Sequence, residues 1–360
     1  MTGFRLSAIP FWLALAAALA WASSCRARGE SSGTLRGRLQ ETPFKIAYEC
    51  YVGTNWEIYV MNADGTGVTN LTRTPGEHEH YPVVSMDGTR LAFLVDRGEE
   101  RDAVRSLYVM DIDGQHRQKI ADQAREPFWC PDNRTLGYLH QEYSRFNVMD
   151  YFTRGLSYHD VLTRSSRPHP NSTNLHHLYN PSCSPDGRWI VATAHAGMGV
   201  SHGILALEVD GPRVVDLRIP GCRPCWSPSG REIAWSSSDH DLSIAPIDLR
   251  TGVPVMGPTR LRIHDEQLKV IHVDWSPDGR FLCFSRGPNG RGDLAKPGTF
   301  AGPDGLVGVY AAGWNLCVVA ADRAGVLDLS QASDTDAVMV TTNGLSNKEP
   351  AWFKPAARIR

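Results

Sequence analysis

The side chains of this chain that could carry chemistry are first of all imidazoles. His78, His80, His176, His177 and His272 each stand close ahead of a segment that opens an extended run. Three converging imidazoles with one coordination position left open would hold a divalent metal ion, because neutral ring nitrogen suits zinc and similar metals. His80, His176, His177 and His272 form the set for that alternative; the leading expectation is no metal and no cofactor. Gly199-Val200-Ser201-His202-Gly203 spells G-x-S-x-G. That pattern activates a serine on a strand-to-helix turn of an α/β-hydrolase domain, for which the chain has no room, so no catalytic residue is assigned. Cys222 and Cys225 form a C-x-x-C, without the second pair a zinc site needs or the βαβ setting of a redox motif. A local disulfide or two buried thiols is expected there. Arg291-Gly292-Asp293 lies in a Gly-rich stretch and reads as a chance tripeptide.

What positions these residues is an internal repeat. One phrase recurs as PVVSMDGTRLAF at Pro82, PFWCPDNRTLGY at Pro127, PSCSPDGRWIVA at Pro181, PCWSPSGREIAW at Pro224 and VDWSPDGRFLCF at Val273. A degenerate copy, PAWFKP, opens at Pro350. The basic period of about 43 to 50 residues suits four short strands per unit, which is one propeller blade. Within a unit, Pro-x-Trp begins an inner strand, Ser-Pro-Asp-Gly makes a tight turn, and an alternating run forms the second strand. A second phrase supplies the third strand: WEIYVMNADG at Trp56, SLYVMDIDG at Ser106, FNVMDYF at Phe146, ILALEVDG at Ile204, LSIAPIDLRTG at Leu242 and WNLCVVAAD at Trp314. Six third strands but five complete inner strands are present. The first phrase lacks an inner strand before it, and Ala351 to Lys354 lacks anything after it. Joining the two ends completes a sixth blade and leaves no open sheet edge.

The pairing of SPDGRxxAF-like turns with IYVMNADG-like phrases resembles the repeats of TolB-like, WD40-like propellers over residues 44 to 359. The expected fold is all-β, a six-bladed β-propeller of four-stranded blades, closed by pairing N- and C-terminal strands in one blade, with blade starts near 82, 127, 181, 224, 273 and 350. The resemblance implies a role as an envelope interaction scaffold, as the propeller part of a serine peptidase, or as an oligogalacturonate lyase. In the lyase relatives a histidine-bound metal sits beside the channel, and HHLYNPSCSPDG resembles their His-plus-turn pattern. The α/β domain of TolB itself is not seen ahead of the repeats.

Aligning the repeats places Tyr81, Glu126, Asn180, Arg223, His272 and Glu349 just before each inner strand, at the channel mouth. This mixed polar ring is the expected docking rim for a protein or glycan. Propeller topology puts the short inner turns on one face and the long connections 97–105, 166–180, 195–202 and 286–313 on the other, and recognition is expected on the long-loop face. Trp129, Trp226, Trp275 and Trp352 share one repeat position and are read as inter-blade packing, and Cys283 and Cys317 as core thiols.

Ahead of the repeats, Phe4-Arg5 and the apolar run Phe11 to Ala22 read as a secretory signal over residues 1–25, too short to span a bilayer of roughly 30 Å. Ala22-Ser23-Ser24-Cys25 resembles a lipobox, so lipidation of Cys25 or ordinary signal cleavage nearby are both open. Residues 26–43 are polar and are expected to be a flexible tether. The chain is thus expected to be exported and periplasmic or outer-membrane-associated, touching the membrane through such an anchor alone. A net charge of −2 gives no electrostatic footprint for nucleic acid.

Overall fold

A computed structural model describes residues 33–290 and 302–356. Six sheets, each led by one inner strand and built from antiparallel pairs save one added strand in blade 4, are arranged as a β-propeller. The inner strands are His78–Val84, Ala124–Trp129, Leu178–Cys183, Cys222–Trp226, Leu268–Trp275 and Ser346–Phe353. The last belongs to the blade begun at the other end of the chain: Ser346–Phe353 pairs antiparallel with Lys45–Val52, which pairs with Asn55–Asn62. Blade 4 is extended by Gly325–Asp328, which adds parallel to its outer strand Leu261–His264 and ties blade 5 to it.

The recurring phrases act locally as their residue types demand. In blade 1 the Gly88 amide donates to the Ser85 carbonyl at 2.8 Å, and Ser85 Oγ donates to Asp87 at 2.6 Å. Gly88 takes φ of 68°, a left-handed conformation that glycine adopts without a Cβ penalty. Ser184, Asp186 and Gly187, and Ser276, Asp278 and Gly279, repeat the same turn. The second strands then alternate toward the gaps between blades, and each gap holds its own apolar cluster. Trp129, Trp226, Trp275 and Trp352 fall into separate clusters and are all under 8% exposed, so they are the packing residues the repeat position suggests. Cys283 and Cys317 are likewise buried in such clusters.

The expected tether is shorter than its composition indicates. Leu35–Gln40 is a helix, α1, capped by Thr34, whose hydroxyl accepts from the Gly37 amide at 3.2 Å. Its Leu35 and Leu39 are buried in the same cluster as Phe281 and Trp352, so α1 covers the seam between blades 5 and 6. Two leucines four residues apart suffice for an apolar stripe, and a composition average conceals it. The apolar run and Cys25 lie outside the described residues, as do Arg291, Gly292 and Asp293. No helix among the described residues is long and apolar enough to cross a membrane.

Candidate functional site

The six ring residues do come together, but inside the channel rather than ahead of the inner strands at a rim. Each sits within its inner strand at a β-bulge, where two residues oppose one on the neighbouring strand. All six have positive φ, between 42° and 58°, uncommon for residues other than glycine. Five are followed by proline, which has no N–H to give to a ladder and is at home at a bulge. The freed amides of the bulge are taken up by the preceding blade: the Tyr81 amide donates to Glu49 at 3.0 Å, the Arg223 amide to Thr193 Oγ1 at 2.8 Å, and the Asn180 amide to Glu126. The repeat therefore turns one polar side chain per blade toward the axis and locks it there. All six are buried.

Across the axis the six fall into two bonded groups, Tyr81 with Asn180 and Glu126, and Arg223 with Glu349 and His272. Arg223 pairs with Glu349 at 3.2 Å and with Asp150 at 3.3 Å, and donates to the Gly305 carbonyl at 2.6 Å. Asn180 donates to Tyr81 Oη at 3.1 Å. His272 reaches Ser285 Oγ at 3.0 Å, the Gly305 carbonyl at 2.9 Å and Glu349 at 2.9 Å. Burial, reinforced by Asp150, pushes Glu126 well above the usual carboxylate range; burial lifts Glu349 to about 7 and raises Asp150. Burial, with the nearby cations Arg223 and Lys348, holds His272 well below its ordinary value, so its imidazole is neutral.

The long-loop end of the channel is closed. Residues 302–313 of the Gly/Pro-rich insertion fold inward and present a row of backbone carbonyls. Lys348, fully buried, donates to those of Asp304, Leu306 and Val309 at 3.3, 2.7 and 2.9 Å. Arg105 donates to the Val307 carbonyl at 3.3 Å while gripping Asp96 through two bonds of 2.8 Å. A second loop joins from blade 2, where Arg125 donates to the Asn147 and Met149 carbonyls. Behind the plug, His80, with Lys348, holds Glu49 down to about 2 against the effect of burial. Asp150, Lys348, Arg105 and the plug carry no signal in the repeat pattern. The polar triplet Asn347-Lys348-Glu349 within the last inner strand is the one sequence cue to an occupied axis.

The short-turn end is open. A cavity of about 310 Å³ runs from between the Ser-x-Asp-Gly turns down to the ring. Met86, Pro185, Pro228 and Pro277 stand at its mouth, Pro and aromatic side chains form its wall, and Asn180, Arg223, His272 and Glu349 lie at its floor. The open depression thus lies on the short-turn face, whereas loop length points to the other. Of the long connections, residues 302–313 supply the plug's carbonyls, and Arg105 from 97–105 bonds to one of them. Asp274, on the wall, accepts from the Trp352 amide at 2.7 Å and from Cys225 at 3.3 Å, and burial raises its carboxyl to about 6.

The histidines of the metal alternative are not brought together. His80 lies between Glu49 and Asp96 in blade 1, and His272 is held at the floor. His177 bonds the Ala196 carbonyl and Glu142, while His176 meets the Asn174 carbonyl. Among the described residues no group of three His, Cys, Asp or Glu is placed to hold a metal. Ser201 lies near the start of the strand Val200–Glu208, so no nucleophile elbow forms. Cys222 and Cys225 flank the Arg223 bulge as free thiols, without a disulfide.

Fold and site together define a six-bladed β-propeller with a dead-ended central funnel. No family model matches the sequence, and no curated protein matches it. Solved structures do resemble it. A structure of the nidogen/laminin complex matches with 9% identity over 87% of this chain and 99% of that one, at a TM-score of 0.55. Hydrazine synthase from Kuenenia stuttgartiensis matches with 11% identity over 91% of this chain and 50% of that one, at 0.53. TolB from Acinetobacter baumannii matches with 14% identity over 88% and 84% of the two chains, at 0.40. At these identities the first two likenesses establish the fold.

Proposed function

We propose that this chain is an exported cell-envelope binding protein whose funnel, on the short-turn face, receives an extended segment of a partner protein. The observation that carries the reading is the dead end: a rigid, apolar-walled cavity closed at one end by a buried plug is built to hold something, not to pass it through. Apolar walls with a few convergent polar groups at the base give affinity and orientation respectively. Export is supported by the Phe11 to Ala22 run and the residues around Cys25. Burial raises the thiols of Cys50 and Cys317 to about 12, which suppresses their thiolate reactivity in such an environment.

Selection of displayed peptides on the mature protein, followed by competition with variants, tests this. In blade 2, Phe128 sits opposite Gly137, which leaves room for its ring in the sheet; in blade 3, Ser182 sits opposite Val191. Ser182→Phe therefore sends its ring into the funnel. Selected peptides are expected to lose at least about tenfold in affinity on Ser182→Phe and to be indifferent to Tyr151→Ala, in the blade 2 loop on the plugged face, where Tyr151 packs on His195. Peptides that ignore Ser182→Phe and depend on Tyr151 would overturn the reading.

A further inference from the structure

The floor of the funnel ends on a side-chain acceptor, Asn180 Oδ1, that no donor among the described residues reaches. Arg223 spends its guanidinium on Glu349, Asp150 and the Gly305 carbonyl. Asn180 uses its amide NH₂ on Tyr81, and its Oδ1 has no donor among the described residues. Behind it, Glu126 accepts the Asn180 amide on one oxygen and has no donor for the other; one oxygen of Asp150 is in the same position. Asn180 lines the cavity and is 6% exposed, so its acceptor is a buried polar group at the end of an open path. Buried acceptors without donors are costly. The cations on the plug side do not meet this need. Lys348 and Arg125 are held on plug carbonyls, and Arg105 is gripped by Asp96. His272 has both ring nitrogens engaged.

We propose that the funnel floor receives the ammonium group of a lysine side chain carried on the partner segment. This deepens the binding reading above and rests on it. A lysine fits for three reasons. Its alkyl stem lies against apolar wall, as long basic side chains do elsewhere. Its head is a compact group with three rotatable donors, suited to single acceptors arriving from separate blades. A planar guanidinium would need a paired carboxylate face, and Arg223 already occupies the one that Glu349 and Asp150 offer.

The probes are N-acetyl-lysine methylamide and its neutral isostere N-acetyl-norleucine methylamide, titrated into the mature protein with the indole N–H signals of Trp226, Trp275 and Trp352 as readout. The lysine compound is expected to bind at least about tenfold tighter than the norleucine compound. Asn180→Leu is expected to abolish that preference. Because Asn180→Leu could fail to fold, Asn180→Asp serves as the second variant and is expected to increase the preference. Equal binding of the two probes, both lost on Ser182→Phe, would overturn the lysine inference and leave the funnel reading standing. No response of the funnel indoles to either probe, or a preference unchanged in both Asn180 variants, also overturns it.

Discussion

Replacing Lys348 by Met keeps the volume of the side chain and removes the ammonium that holds the plug. Three carbonyls, of Asp304, Leu306 and Val309, lose their donor, and Glu49, 3.7 Å away, loses a cation. Hydrogen bonds to charged groups contribute about 1.5–3 kcal/mol each, partly offset because the ammonium no longer has to be desolvated. Removing one partner of a buried charged constellation costs about 3–5 kcal/mol in net terms. With a guanidinium slope of about 6 kcal/mol/M, that is a fall of about 0.5–0.8 M in the unfolding midpoint. Hydrogen exchange adds the location: amides of residues 302–310 should lose protection before the blades do. A midpoint within about 0.1 M of the parent, with unchanged exchange in 302–310, would refute the claim that Lys348 anchors a plug.

Further expectations follow from the same structure. Leu39→Ala should destabilise the domain by about 2–5 kcal/mol, since Leu39 is 1% exposed; a loss below about 0.5 kcal/mol in denaturant unfolding would mean that α1 is not docked. Asp274, raised to about 6, holds its proton better folded than unfolded, so the folded state binds more protons between about pH 4 and pH 6 and stability falls as pH rises through that window. Asp274→Asn should flatten that pH dependence by about 1–2 kcal/mol, allowing for partial solvent screening; an unchanged slope in midpoint against pH would contradict the assignment. The seven described cysteines are free, and in the native protein they should react with iodoacetamide far more slowly than in denaturant, as mass spectrometry would show. Cys25→Ser should move the protein from the membrane to the soluble fraction if Cys25 is lipidated; continued membrane association would remove Cys25 as the anchor.

The sequence made the architecture legible because each blade writes the same two phrases, and the turn chemistry of Ser85-Met86-Asp87-Gly88 and its copies is read directly from residue type. The six-residue ring was legible for the same reason: Tyr81 and its counterparts occupy one repeat position. Their placement was not. Nothing in a Tyr-Pro or Glu-Pro pair announces a positive φ, and the bulge that turns these side chains inward is a property of pairing with the neighbouring strand. Which end of the channel is open was not legible either, because loop length carries no sign of where a long connection folds inward. Residues 302–313 are long because their carbonyls must reach Lys348, Arg223 and Arg105, cations drawn from three blades and separated by up to hundreds of positions in the chain. Long-range partners of that kind leave no periodic trace. The stripe of Leu35 and Leu39 was hidden by the polar residues around it.

The central claim, that the partner enters at the short-turn face, is tested most directly by site-specific photo-cross-linking in producing cells. Met86, at the mouth of the funnel, and Tyr143, on the plugged face, are 54% and 50% exposed, so either can be replaced by p-benzoylphenylalanine without disturbing the core. The account predicts a discrete adduct from position 86 that disappears with Ser182→Phe, and none from position 143. An adduct from position 143 alone, unaffected by Ser182→Phe, would contradict it.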